Sequence, residues 1–185
     1  MGTMKKPTVS LFRRMKNEGR KIVMLTAYDA PTAKLAQECG IDIILVGDSL
    51  GMAVLGYQNT LPVTLEQSLH HCAAVRRGAP DAFVIGDMPF MTCHASETDA
   101  LKNAARYLQE AQCDAVKIEG DAALAPTVER MVHAGIPVMG HIGLLPQHIK
   151  TSGVYRVTGR KEEEAERIIA DAKAMEAAGV FAMVL

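Results

Sequence analysis

Four aliphatic runs in this sequence end on side chains that can carry charge: Asp48 after IILVG, Asp87 after FVIG, Lys117 and Glu119 within AVKIEG, and His141 after PVMG. Aspartate is depleted in strands, so two of them directly after β-type runs ask for a chemical reason. If the runs are parallel strands, their ends lie along one sheet edge and these residues converge where such folds bind ligands. Two carboxylates brought together repel unless a cation sits between them. Hard oxygen donors making only one or two protein contacts suit Mg²⁺, which keeps several of its waters, and Glu119 could hold one of those waters. Three carboxylates with no Cys or His beside them in the chain argue against zinc.

The other residues of the set admit two readings each. Lys117 is a point charge for a substrate carboxylate or an enolate oxygen, or else the partner of Glu119, two positions on and on the same strand face. His141 either donates to substrate or orients the groups that do. Ser49 offers a hydroxyl and an N–H beside Asp48, but no paired base marks it as a nucleophile. Each Asp could instead be a helix N-cap. Against that, Asp48 is followed by SLGMAVLGYQNTLPVT, where no helix is expected before Thr64, and Asp87 by MPFMT, with the next start signal at Ser96. His70, His71, His94, His133 and His148 carry no comparable signal. Gly47, Gly51 and Gly56 form neither a P-loop nor a dinucleotide fingerprint and read as turn residues.

The elements that must position these residues alternate along the chain. Short apolar runs begin near residues 21, 41, 82, 114, 136 and 180, and helical patterns lie between them, which predicts βα units around a parallel sheet. Thr64 with Gln67 is a capping-box pattern, and Ser96 opens SETDALKNAARYLQEA. Gly78 and Gly179 read as helix C-terminal caps. Residues 142–160 lack clear periodicity, and loops of that length in compact domains are usually functional or disordered. Six strands suit an open sheet as well as part of an eight-stranded barrel, so the pattern alone leaves the two open.

Composition bounds the rest. With 185 residues the chain suits one domain, and 49% hydrophobic but only 4% aromatic residues suit an aliphatic, helix-covered sheet. Twenty Lys+Arg against 21 Asp+Glu leave no basic excess for nucleic acid. Arg13, Arg14, Lys16, Arg20 and Lys21 cluster at helical spacing and read as a solvated face. Cys39, Cys72, Cys93 and Cys113 have no metal or disulfide spacing and read as buried, reduced thiols. No signal-like or membrane-spanning apolar run is present, which points to a soluble cytoplasmic protein; Met1–Thr3 read as residues added before a start at Met4.

The stretches TAYDAPTAKLA, LVGDSLGMAVLGYQNTLPVT, HHCAAVRRGAPDAFVIGDMPFM, NAARYLQEAQCDAVKIEG, IPVMGHIGLLPQ and VYRVTGR, in this order, resemble the ketopantoate hydroxymethyltransferase family. The resemblance implies a (β/α)₈ barrel of the phosphoenolpyruvate and pyruvate superfamily, assembled as a decamer. It implies a one-carbon transferase of pantothenate and coenzyme A biosynthesis that moves a hydroxymethyl group from 5,10-methylenetetrahydrofolate to 3-methyl-2-oxobutanoate. It further implies Mg²⁺ on Asp48 and Asp87, with Glu119 near a metal-bound water. The oxo acid would be contacted by Asp48, Ser49, Asp87 and Lys117, and the chemistry assisted by Lys117 and His141.

In that family the general base is a glutamate directly after the sixth strand, and this sequence ends at Leu185, one position before it. The expected domain is therefore one barrel over residues 1–185 without strands seven and eight, a piece that would neither close its barrel nor catalyse efficiently alone. Val154 and Gly86 also depart from the family pattern, and Val154 could stiffen the loop over the site. Two rival functions follow: another metal-dependent 2-oxo acid lyase or mutase of the same superfamily, and a non-catalytic oligomer-forming or regulatory remnant.

Overall fold

A computed structural model describes residues 6–185; the reading of Met1–Thr3 lies outside them. The expected strands are β1 (Met24–Thr26), β2 (Ile43–Val46), β3 (Phe83–Asp87), β4 (Ala115–Glu119), β5 (Val138–His141) and β6 (Ala182–Val184). Each pairs in parallel with the next, and their order in the sheet is their order in the chain. A doubly wound open sheet reverses its strand order part-way. Without that reversal, right-handed crossovers put the connecting helices on one face and leave the other to curl inward as the wall of a (β/α) barrel. The helices are α1 (Val9–Asn17), α2 (Ala30–Glu38), α3 (Leu50–Ala53), α4 (Leu65–Gly78), α5 (Glu97–Gln109), α6 (Ala125–His133), α7 (Ile149–Ser152) and α8 (Glu162–Ala177). Among the described residues no helix is long and apolar enough to cross a membrane.

Side-chain alternation separates two cores. Ile44, Val46, Val84, Val116, Ile118 and Val138 point outward and pack under the helices. Ile43, Phe83, Ile85, Ala115 and Met139 point inward and form the barrel interior with Phe12 and Met15 of α1. Phe83 meets Phe12 edge-on at a centroid distance of 5.0 Å and Phe181 at 5.9 Å, so aromatic residues plug the N-terminal end. Continuing the same two-residue period from Phe83, Ala115 and Met139 places Asp87, Lys117, Glu119 and His141 on the inner face at the opposite end. The interior is thus apolar below and charged above.

Local signals account for most boundaries. The Thr64 hydroxyl accepts from Gln67 N at 3.2 Å while Gln67 Oε1 accepts from Thr64 N at 3.0 Å, closing the expected capping box. Ser96 Oγ accepts from Asp99 N at 3.1 Å. Gly179, with φ +95°, follows the last turn of α8 as expected. The basic cluster of residues 13–21 is exposed.

Three expectations are corrected. Gly78 is the last residue of α4 rather than a left-handed cap, and it is glycine because a Cβ there would lie 2.1 Å from Ala30 O of α2. A helix does begin between Asp48 and Thr64: the four-residue α3, with Ser49 rather than Asp48 at its N-cap position. Cys39 is exposed while the other three thiols are buried.

Candidate active site

The charged upper layer surrounds a cavity of about 400 Å³, bordered by Asp48, Ser49, Asp87, Lys117, Glu119 and His141 and by apolar Met24, Leu45, Met52, Leu144 and Val184. Each polar group lies in the upper part of a strand or directly after it. Asp87 closes β3 directly beside Lys117 of β4, and Glu119 closes β4 beside His141 of β5. Lys117 Nζ donates to Asp87 Oδ1 at 2.6 Å and lies 3.7 Å from Glu119 Oε1. The Lys117–Glu119 pair is therefore present, but the tighter partner is Asp87. Asp48, in the turn after β2, donates its N–H to Asp87 Oδ2 at 3.1 Å. His141 Nδ1 lies 3.1 Å from Glu119 Oε1. A second cavity, about 300 Å³ between α7 and α8, is bordered by Arg156, paired with Glu164 at 2.8 Å, and does not include the strand-end carboxylates.

The backbone of Asp87 is itself anchored. Tyr107 Oη lies 2.9 Å from Asp87 O and 2.8 Å from Ser68 Oγ, and Ser68 Oγ donates to the same carbonyl at 3.1 Å. A Cβ on Gly86 would fall 2.2 Å from the Tyr107 ring, so this glycine makes room for the anchor. Gly86→Ala is expected to lower stability by about 1–3 kcal/mol, the usual cost of overpacking a closed core; urea denaturation checks it.

Burial pushes Asp48 up to about 7, with repulsion from Asp87 and Glu119 adding to it and Lys117 and Gln147 opposing. Asp87 is raised by burial in spite of Lys117. Burial would also raise Glu119, but His141, Lys117 and the Gln147 N–H hold it below its ordinary value. For Lys117, burial is outweighed by Asp87 and Glu119, so it stays an ammonium. Three buried carboxylates thus face one buried cation.

A carboxyl raised on folding binds its proton more tightly in the folded than in the unfolded chain, so stability falls as pH rises from 3.8 to about 7. A divalent cation held there would take the proton's place and remove that slope. Thermal unfolding between pH 4 and 8, with and without Mg²⁺, should show the slope in the wild type and a shallower one in Asp48→Asn, where Asp87 alone remains raised.

The donor set fits such a cation. Among the described residues no group of three or more His, Cys, Asp or Glu side chains is placed to hold a metal ion. What is present is an excess of buried carboxylate at one cavity wall, with Asp48 and Asp87 adjacent, which suits an ion taking few protein ligands. Beside them Gln147 Oε1 is buried without a protein donor, and Thr60 Oγ1, bordering the cavity, likewise has no protein partner.

A family model described as ketopantoate hydroxymethyltransferase matches residues 6–185. The chain belongs to the ketopantoate hydroxymethyltransferase family. It is 53% identical over 178 residues to the 3-methyl-2-oxobutanoate hydroxymethyltransferase of Shouchella clausii strain KSM-K16, covering 96% of this chain and 64% of that protein. It is 55% identical over 182 residues to the enzyme of the same name from Desulfotalea psychrophila, covering 98% and 65%. The chain thus spans about 64% of the length of the curated relatives it matches. Among solved structures it is similar to 2,3-dimethylmalate lyase, a PEP mutase/isocitrate lyase superfamily member, with a TM-score of 0.67 at 20% identity, covering 97% of this chain and 62% of that one. A phosphonopyruvate hydrolase complex with oxalate and Mg²⁺ gives 0.68 at 16%, covering 96% and 62%. These neighbours share the barrel fold found here.

In this hydroxymethyltransferase-family barrel the residues singled out from sequence all reach one cavity, but three of their neighbours were not singled out. Gln147, from the aperiodic stretch after β5, donates to Asp48 Oδ2 at 2.9 Å through Nε2 and to Glu119 Oε2 at 3.0 Å through its main chain. Tyr28 Oη lies 2.9 Å from Ser49 Oγ, and its own carbonyl is 2.7 Å from His71 Nδ1. Thr60 is the third. The sequence signals for Gln147 were its place in a long non-periodic loop and at the end of the motif IPVMGHIGLLPQ. Tyr28 and Thr60 lie within the motifs TAYDAPTAKLA and LVGDSLGMAVLGYQNTLPVT but carried no signal of their own, because Tyr28 meets Ser49 21 positions away and Thr60 is marked only by its place at the cavity.

Proposed function

We propose that this chain carries the oxo-acid site of a 3-methyl-2-oxobutanoate hydroxymethyltransferase, using Mg²⁺ and 5,10-methylenetetrahydrofolate to give 2-dehydropantoate. The observation that carries the reading is the convergence of Asp48, Asp87, Lys117 and Glu119 on one cavity wall in a chain of this family. Asp48 and Asp87 would hold the Mg²⁺, and Glu119, with both oxygens already engaged, suits a water-mediated contact better than a direct one. When bound, the ion would supply Lewis-acid polarisation of the oxo group, which acidifies the hydrogen on C3.

The chain's own residues bind and orient the oxo acid. Lys117, fixed by Asp87, brings a permanent positive charge to the oxygen on which charge develops, in a place shielded from water. Ser49, turned by Tyr28, offers its hydroxyl to the substrate carboxylate. His141, steadied by Glu119, borders the same space as a donor. Met24, Leu45, Met52 and Val184 line the apolar side, which suits a branched alkyl group. The family reading assigns the C3 proton to a glutamate directly after the sixth strand, a position beyond Leu185, and β6 brings its C-terminal end to the cavity, where Val184 borders it. The same family reading carries homo-oligomeric assembly and a cytoplasmic setting.

Calorimetric titration with 3-methyl-2-oxobutanoate tests the site, and a turnover assay tests the reaction. Binding should require Mg²⁺ and be lost in Asp48→Ala, and product should form only with the folate donor. Mg²⁺-independent binding, or binding unaffected by Asp48→Ala, would overturn the reading. Release of a smaller oxo acid without folate would favour a lyase.

A further inference from the structure

Gln147 is 3% exposed and braces three strand ends at once. Its Nε2 lies 2.9 Å from Asp48 Oδ2, after β2, and 3.1 Å from Met88 O, after β3; its main-chain N–H reaches Glu119 Oε2, at the end of β4, at 3.0 Å. Both neighbours of Nε2 are acceptors, so the amide can only sit this way round, with Oε1 directed elsewhere. A carboxylate held through Oδ2 cannot swing freely, and its other oxygen is presented in a fixed direction before any ion arrives. Fixing ligands in advance removes an ordering cost from binding.

The brace comes from outside the strands. Gln147 lies in the short 3₁₀ turn Pro146–His148 that leads into α7, part of the segment that follows β5 over the cavity rim. Leu144 and Pro146 of that segment border the cavity themselves. Whatever tightens Asp48 and Glu119 therefore also tightens this segment, and linkage makes the effect reciprocal.

We propose that Gln147 is the positioning residue of the cation site: it braces Asp48 and Glu119 from the segment after β5, so that cation binding and the packing of that segment strengthen each other. This rests on the reading of Asp48 and Asp87 as cation ligands. Gln147 touches no reacting atom and acts through the carboxylates.

The test uses the 185-residue chain with Mn²⁺ as probe, free ion being read by electron paramagnetic resonance and backbone protection by hydrogen exchange. Gln147→Met keeps length and flexibility but has no donor. It should raise the Mn²⁺ dissociation constant about tenfold, as expected for one lost hydrogen bond to a charged group. In the wild type Mn²⁺ should slow exchange across residues 144–152, and in Gln147→Met that slowing should vanish. Unchanged affinity with a lowered melting temperature would overturn the proposal by making Gln147 merely structural. Weakened affinity with cation-dependent protection intact would overturn the coupling. If Gln147→Met does not fold, Gln147→Asn, which withdraws the same amide by one methylene, is read by the same two measurements. If the wild type itself takes up no Mn²⁺, the cation reading falls, an outcome distinct from a wild type that binds and a variant that binds equally well.

Discussion

Asp87→Asn is expected to abolish divalent-cation binding, weakening Mn²⁺ by at least a hundredfold, and with it the proposed reaction by three orders of magnitude or more. The shape of the side chain is kept and the new amide oxygen can still accept from Lys117, but the amide NH2 then faces the Asp48 N–H, so charge and that one hydrogen bond are lost at the centre of the site. A lost orienting partner of a ligand typically costs ten- to hundredfold in metal affinity, and a lost ligand costs more. Removing one preorganised electrostatic contact to a developing oxyanion costs about a hundred- to a thousandfold in rate, and here the ion would be displaced as well. Mn²⁺ titration and oxo-acid turnover, measured on the same preparation, check both halves. Near-normal Mn²⁺ binding in Asp87→Asn would mean that Asp87 serves Lys117 and not an ion.

Lys117→Met carries the second large effect, and it falls on stability. It removes the buried ammonium that faces Asp48, Asp87 and Glu119, leaving carboxylates against one another in a site almost closed to water. Breaking a buried charge pair from one side costs about 3–5 kcal/mol. The sign of its pH dependence follows from the charges. Without Lys117 the acids hold their protons more tightly in the folded state, so stability is retained at low pH and lost as pH rises through their raised values. At pH 8 the variant should therefore be far less stable than the wild type, and should regain much of the difference on addition of Mg²⁺ or on acidification to pH 5. Chemical denaturation at the two pH values, with and without Mg²⁺, decides the matter. A loss indifferent to pH and to Mg²⁺ would mean that Lys117 contributes packing alone.

Both predictions concern residues whose importance was legible before any coordinates, and the reason is local. A strand has a two-residue period, so an aliphatic run that ends on Asp87, or that carries Lys117 and Glu119 two apart, announces that a charged layer sits on the same face as an apolar one. The Thr64 and Gln67 capping box and the Ser96 cap were legible for the same reason, since each is completed within four residues. Gly78 was misread because its constraint is the carbonyl of Ala30, which belongs to another helix. The four-residue α3 escaped because four residues are too few to show a helical period.

Sequence by itself determined the strands, the parallel alternation, the charged strand ends and, through the ordered motifs, the family. Tertiary structure alone decided how those charges are shared. Lys117 takes Asp87 more closely than its own strand neighbour Glu119, because parallel register sets Lys117 directly beside Asp87. Gln147 reaches Asp48, 99 positions earlier, because the chain after β5 folds back over the strand ends. Tyr28 turns Ser49, and Tyr107 with Ser68 grips the carbonyl of Asp87. Periodicity records which face a side chain occupies, since that depends only on neighbours along the chain. Which partner it meets there depends on strand register and on the path of a loop, and those are settled only when the whole wall packs.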